Sequence, residues 1–153
     1  MKENWKNLIT AIAIPLAAGS LSALPAKDGI SSFSTITKPP LTPPAAVFPI
    51  IWTILYILMG IASYLVIMKN PDEKALSLYG LQLLFNFFWS IWFFRFGWYL
   101  FAFFWLIALW LLILATTLAF FRISRPAGYL MLPYLIWVTI AGYLNLGIYL
   151  LNL

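Results

Sequence analysis

The sequence predicts an all-α membrane protein: a five-transmembrane-helix bundle with a Pro-rich loop between helices 1 and 2. Two observations carry that prediction. Of 153 residues, 64% are hydrophobic and only 8% charged, with a mean hydropathy of +0.97. Soluble domains carry about 25% charged residues, so a single water-surrounded core could not hide this much apolar surface. The second observation is spacing. Charged residues delimit five charge-free runs, Asn7–Ala26, Pro39–Met68, Ala75–Phe94, Phe96–Phe121 and Pro126–Leu153, each at least 20 residues long. About 20 apolar residues, rising 1.5 Å each, cross the hydrocarbon. There the backbone must pair internally, so each run is expected to be a helix.

The expected spans cover about 5–26, 45–68, 74–95, 98–121 and 126–151 of a single domain. Helix 1 begins like a secretory signal, but Pro15 and Gly19 interrupt its apolar middle and its length suits a full span. Its small residues (Ala11, Ala13, Ala17, Ala18, Gly19, Ser22, Ala23) invite close helix packing. Residues 27–44 form the only long loop. On helix 2, Phe48, Trp52, Tyr56 and Gly60 recur every four residues and share a face. Helix 3 places Gln82, Asn86 and Trp89 on one face, and helix 5 does the same with Tyr134, Trp137, Ala141, Leu144 and Asn145. The short connections "KNPDEK", Arg95–Gly97 and "RISRP" make consecutive helices antiparallel neighbours, with Pro71 and Pro126 suited to first helical turns.

Charge placement sets the expected topology. The N-terminus and loops 2–3 and 4–5 hold Lys2, Lys6, Lys69, Lys74, Arg122 and Arg125, against Lys27, Lys38 and Arg95 on the other side. The positive-inside rule then puts the N-terminus in the cytoplasm. The basic residues are scattered and form no nucleic-acid patch. The chain has no His and no Cys, and its acids, Glu3, Asp28, Asp72 and Glu73, fall in the N-terminal flank or in loops. Metal sites, ion-coupled carriers and acid–base enzymes all lack their usual residues within the spans. Rings and amides are what the spans offer instead. Periodicity alone favours packing for the rings and cross-helix hydrogen bonding for Asn86 and Asn145. On facing helices the same groups would form an apolar pocket with a few orienting polar atoms.

The runs "KPPLTPPAAVFPIIWTILYILMG", "NFFW", "GW" and "PYLIWVTIAGYLN" resemble, in order and spacing, the translocator protein family, also known as tryptophan-rich sensory proteins or peripheral-type benzodiazepine receptors. The resemblance covers nearly the whole chain and identifies it as a bacterial member. It implies an integral protein of the bacterial cell membrane, a five-helix bundle forming homodimers. It also implies a receptor that binds porphyrins such as protoporphyrin IX, heme-type tetrapyrroles and isoquinoline or benzodiazepine-type ligands. By matched positions the ligand-binding residues are Ala23, Phe48, Pro49, Ile51, Trp52, Asn86, Trp89, Trp98, Trp105, Trp137, Ala141 and Leu144, with Tyr56 and Asn145 nearby. Light- and oxygen-dependent protoporphyrin degradation in some bacterial members would rest on Trp52 and Trp137. No cofactor is then required, the porphyrin being ligand or substrate. The animal family's cholesterol motif ends in a basic residue on helix 5, whereas "LNLGIYLLNL" has none after Tyr149, so sterol recognition is not expected.

Five of the ten prolines fall in Lys38–Trp52. Proline fixes φ and holds its predecessor extended, so "PPLTPP" is expected to be a stiff strap serving as a lid over the bundle's mouth. Three functions stay open on the sequence: a porphyrin receptor, a light-driven porphyrin-degrading enzyme, and a passive transporter of lipophilic molecules.

Overall fold

The computed structural model describes residues 2–32, 35–44 and 46–153, with side chains described from Asn4 to Pro25 and across the latter two stretches. Five α-helices carry the chain: α1 (Lys2–Ser32), α2 (Val47–Lys69), α3 (Glu73–Ser90), α4 (Tyr99–Ile123) and α5 (Arg125–Leu151). A π-helical turn, Ile91–Arg95, extends α3. All five spans are long and apolar enough to cross a membrane, and the described residues include no strand.

α1 does not stop at Ala26; it continues through Pro25 to Ser32. The apolar run marks where the hydrocarbon ends, and the helix simply outlasts it. Lys27 and Asp28 therefore lie on helical backbone, their side chains outside the described residues. At the start of α3, Pro71 precedes the helix, and the Asp72 carboxylate caps it by accepting from the Ala75 N–H at 3.1 Å. Pro126 does sit in the first turn of α5, after the single connecting residue Ser124.

The helices form a closed ring in the order α1, α2, α5, α4, α3. Sequential helices are thus not all neighbours. α2 and α3 share a short turn but make almost no close backbone approach; they face each other across the interior through side chains. α1 and α2 cross closely. A Cβ on Gly60 would lie 2.6 Å from the Ile12 Cα and 2.8 Å from the Ala11 carbonyl oxygen. That carbonyl is the one Pro15 deprives of its i→i−4 donor, so glycine brings α2 against backbone the proline has left exposed. One turn nearer the α1–α2 connection, the Tyr56 ring fills the space a side chain at Gly19 would need.

The proline strap is clamped to α5. Thr37 donates its N–H to the Asn152 Oδ1 at 3.0 Å, and the Asn152 amide donates back to the Thr37 carbonyl at 2.7 Å. Tyr143 donates its hydroxyl to the Pro40 carbonyl at 2.8 Å. Pro39 is buried against Gly147, where a Cβ would come within 2.8 Å of the proline ring. Leu41 makes the bend with φ +68° and points its side chain outward.

Candidate functional site: an aromatic cavity

Four elements, α1, α2, α3 with its π-turn, and α5, enclose a cavity of about 330 Å³ at the strap end of the bundle. The helix-2 stripe turns inward as its four-residue spacing requires: Phe48, Trp52 and Tyr56 line the cavity, and Gly60 closes the crossing beneath. The α5 stripe supplies Trp137, Ala141, Leu144 and Asn145, all buried, and the α3 stripe supplies Asn86 and Trp89. α1 adds Ala23, and Pro49 stands at the rim on α2. The rings touch. Trp52 and Trp137 have centroids 6.4 Å apart and planes at 86°. Trp52 also stacks on Tyr56 at 5.6 Å and meets Trp89 at 6.4 Å, while Phe48 packs edge-on to Trp137 at 5.6 Å. Two indoles at a right angle make a corner into which a flat ring can lie against one face and one edge.

Three of the expected residues are elsewhere: the cavity walls do not include Ile51, Trp98 or Trp105. Ile51 is half-buried in packing beside the core. Trp105 stacks on Phe85 at 4.3 Å and donates its indole N–H to the Phe85 carbonyl at 2.8 Å, which binds it to the α3–α4 seam. Trp98 is 51% exposed and stacks on Trp92 at 5.8 Å, the arrangement of an interfacial ring. Conversely, Leu16, Gly19, Ser22, Phe93 and Phe94 line the cavity though not among the expected residues. The small-residue face of α1 was a signal for Gly19 and Ser22. Phe93 and Phe94 come in on the π-turn, which no local sequence feature announces.

The polar atoms of the cavity floor are already partnered within the protein. Tyr56 donates to the Asn86 Oδ1 at 2.9 Å, the Asn86 amide donates to the Tyr134 hydroxyl at 2.7 Å, and Tyr134 donates to the Gln82 Oε1 at 2.7 Å. The Trp89 indole donates to the Asn145 Oδ1 at 3.1 Å, and the Asn145 amide donates to the Tyr99 carbonyl at 2.8 Å. These bonds tie α2, α3 and α5 together, and through Tyr99 they reach α4. The Trp137 indole N–H is the exception, buried without a partner. No charged side chain stands among the described wall residues, nor do these contain a cluster of metal-ligating groups. Lys38 does not reach the cavity; its ammonium donates to the Ile36 carbonyl at 3.3 Å. The strap does not form the cavity's roof either: its described residues bind α5 and none lines the cavity. The arrangement can therefore hold a flat apolar ring system; the unpaired Trp137 N–H has no accessible surface to offer it.

Comparison with known proteins covers almost the full chain. The family model described as "TspO/MBR family" matches residues 11–151. The chain is 38% identical to a "Tryptophan-rich protein TspO" of Chlorobaculum tepidum, over 99% of both chains. It is 37% identical to a "Tryptophan-rich sensory protein" of Cereibacter sphaeroides, covering 95% of this chain and 90% of the relative. A "Translocator protein" of Bos taurus is 31% identical, over 95% and 89% respectively.

Proposed function

The chain belongs to the TspO/MBR family of membrane proteins, and on that premise we propose that it is a receptor for porphyrins and related flat aromatic molecules, held in the cavity against the corner that Trp52 and Trp137 form. The observation that carries this reading is the uncharged corner formed by those two indoles, 6.4 Å apart at 86°. At about 330 Å³ the cavity stands at the small end of the roughly 300–1,000 Å³ usual for ligand sites. A drug-sized aromatic fits within it, and a tetrapyrrole would fill it and extend into its opening. The four exposed lining residues all belong to α1 and α2, so that opening lies between those helices. With the N-terminus in the bacterial cytoplasm, as loop charges favour, the cavity lies toward the outer leaflet.

A second reading has one observation in its favour. Trp52 touches both Trp89 and Trp137, so a photoexcited porphyrin in the corner would lie beside a group of oxidisable indoles, with dissolved oxygen as the terminal oxidant. Passive transport is the third reading, and the chain has no His and no acid in the middle of a span to couple it to an ion.

One experiment separates binder from enzyme. Protoporphyrin IX is titrated into the purified protein and then followed by absorbance and product analysis, in light and in dark. Saturable binding with unchanged or slowed pigment loss identifies a receptor. New products requiring light, oxygen and both Trp52 and Trp137 identify an enzyme. Absence of saturable binding refutes both.

A further inference from the structure

Among the described residues, the cavity is closed on three sides and open on one. Its walls from α3, the π-turn and α5 contain no exposed residue, whereas four lining residues are exposed: Ser20 and Ala23 on α1, Pro49 and Thr53 on α2. These sit on the facing edges of the two helices whose tightest contact lies below, at Gly60 and Gly19. Beyond that contact, toward the strap, the helices part and the cavity reaches the outer surface of the bundle.

The surface it reaches is apolar. Leu21 and Leu24 on one lip, and Ile50 and Ile54 on the other, are each more than half exposed. In a chain that crosses the membrane, such aliphatic lips face acyl chains. Depth agrees. Thr53 lies six residues inside the span that begins at Val47, and Ser20 lies six residues before the end of the charge-free run at Ala26, which is about 9 Å along each helix axis. The split therefore opens within the outer part of the hydrocarbon. At the end of the bundle facing water the strap is seated on α5 and not over the cavity: Pro39 is buried, Ile36 packs against the core, and Asn152 and Tyr143 bond the strap.

We infer that ligands reach the cavity sideways from the bilayer, through the split between α1 and α2, and not from water across the proline strap. The inference rests on the binding function proposed above and narrows its ligand class. What passes must already be dissolved in the membrane, flat enough to travel edge-on between two helices, and free of charge on its leading edge. The four side chains at the split are small, so the passage is slot-shaped. The Thr53 hydroxyl is turned back to the Pro49 carbonyl at 2.7 Å, so it makes no demand on a passing ring.

The chain contains no cysteine, which allows the split to be blocked after folding. Leu24→Cys and Ile54→Cys variants, on the lips and outside the cavity wall, are reconstituted in liposomes and labelled with a bulky maleimide. Binding of protoporphyrin IX dimethyl ester is then followed by stopped-flow quenching of tryptophan fluorescence. Labelling is expected to slow association and dissociation together by about tenfold or more, with affinity held within about threefold. Asn152→Ala, which frees the strap, is expected to leave both rates unchanged. Full labelling with an intact association rate overturns the inference, whether or not affinity falls, and so does faster association in Asn152→Ala. If the ester never quenches the unmodified protein saturably, the binding function itself is refuted.

Discussion

Trp89 and Trp137 both line the cavity and are both buried, yet replacing each with phenylalanine should damage different properties. The Trp89 indole spends its N–H on Asn145, which in turn holds the Tyr99 carbonyl. Trp89→Phe breaks that bond and leaves the Asn145 oxygen unsatisfied. Hydrogen bonds between membrane helices contribute about 0.6–1.7 kcal/mol, and an orphaned buried acceptor raises the cost toward 1–3 kcal/mol. The Trp137 indole has no such partner, so Trp137→Phe breaks no hydrogen bond. Its missing ring enlarges a space that already exists, and the stability cost should stay under about 1 kcal/mol, far below the 3–5 kcal/mol of an aromatic removed from a packed core. Binding should respond in the opposite sense. A ligand resting on Trp137 loses a ring contact of about 0.5–1.5 kcal/mol, which weakens affinity about two- to twelvefold, while Trp52→Phe/Trp137→Phe compounds the loss. Stability is read by unfolding in mixed detergent micelles and affinity by protoporphyrin IX titration. If Trp137→Phe proves as destabilising as Trp89→Phe, or leaves affinity within measurement error, the assignment of Trp137 as a ring contact of the site is wrong.

Other outcomes follow from single positions. Gly60→Ala forces a methyl against the Ile12 backbone and should destabilise the bundle by about 1–3 kcal/mol, whereas Gly80→Ala, with nothing within 4 Å, should be neutral or stabilising by about 0.5–1 kcal/mol. Thermal unfolding of the two variants in parallel checks the sign. Asn152→Ala removes both amide bonds to Thr37, so limited proteolysis should cut within the strap faster while leaving the spans intact. In a double-mutant cycle, Tyr56→Phe with Asn86→Ala should show a coupling of about 0.6 kcal/mol or more, and strictly additive costs would show that the 2.9 Å bond between them contributes nothing.

The spans could be read from the sequence because a bilayer imposes a length on every charge-free run. The inward faces of α2 and α5 could be read because large rings three or four residues apart cannot avoid sharing a side. Other features depended on the third dimension. Hydropathy reports the edge of the hydrocarbon, so it could not show α1 continuing to Ser32. Connection lengths show which helices are joined, but the ring order places α1 between α2 and α3. Trp98 and Trp105 belong to the same residue type as Trp52, and only their partners distinguish them: the Phe85 carbonyl for one, Trp92 and the outer surface for the other. The strap's non-helical path was legible in its prolines. Its destination was not, because the residues that hold it, Tyr143, Gly147 and Asn152, lie more than a hundred positions away.

The amides show why packing and pocket are not competing descriptions of this protein. Asn86 and Asn145 each bond across helices, as buried amides in membranes usually do, and each also lines the cavity. Their partners set the character of the site. With the donors of Tyr56, Asn86, Trp89 and Asn145 committed inside the protein, a ligand would have to strip an existing bond to gain a new one. Exchanging one hydrogen bond for another yields little net free energy, so affinity must come from ring contact and apolar burial. If it binds porphyrins as proposed, a cavity so constituted would discriminate by shape and by the absence of charge. It should then tolerate many flat aromatic molecules and reject small polar ones, whatever hydrogen-bonding groups they carry. Such a site has reason to be served from the bilayer, where molecules of that kind are already concentrated.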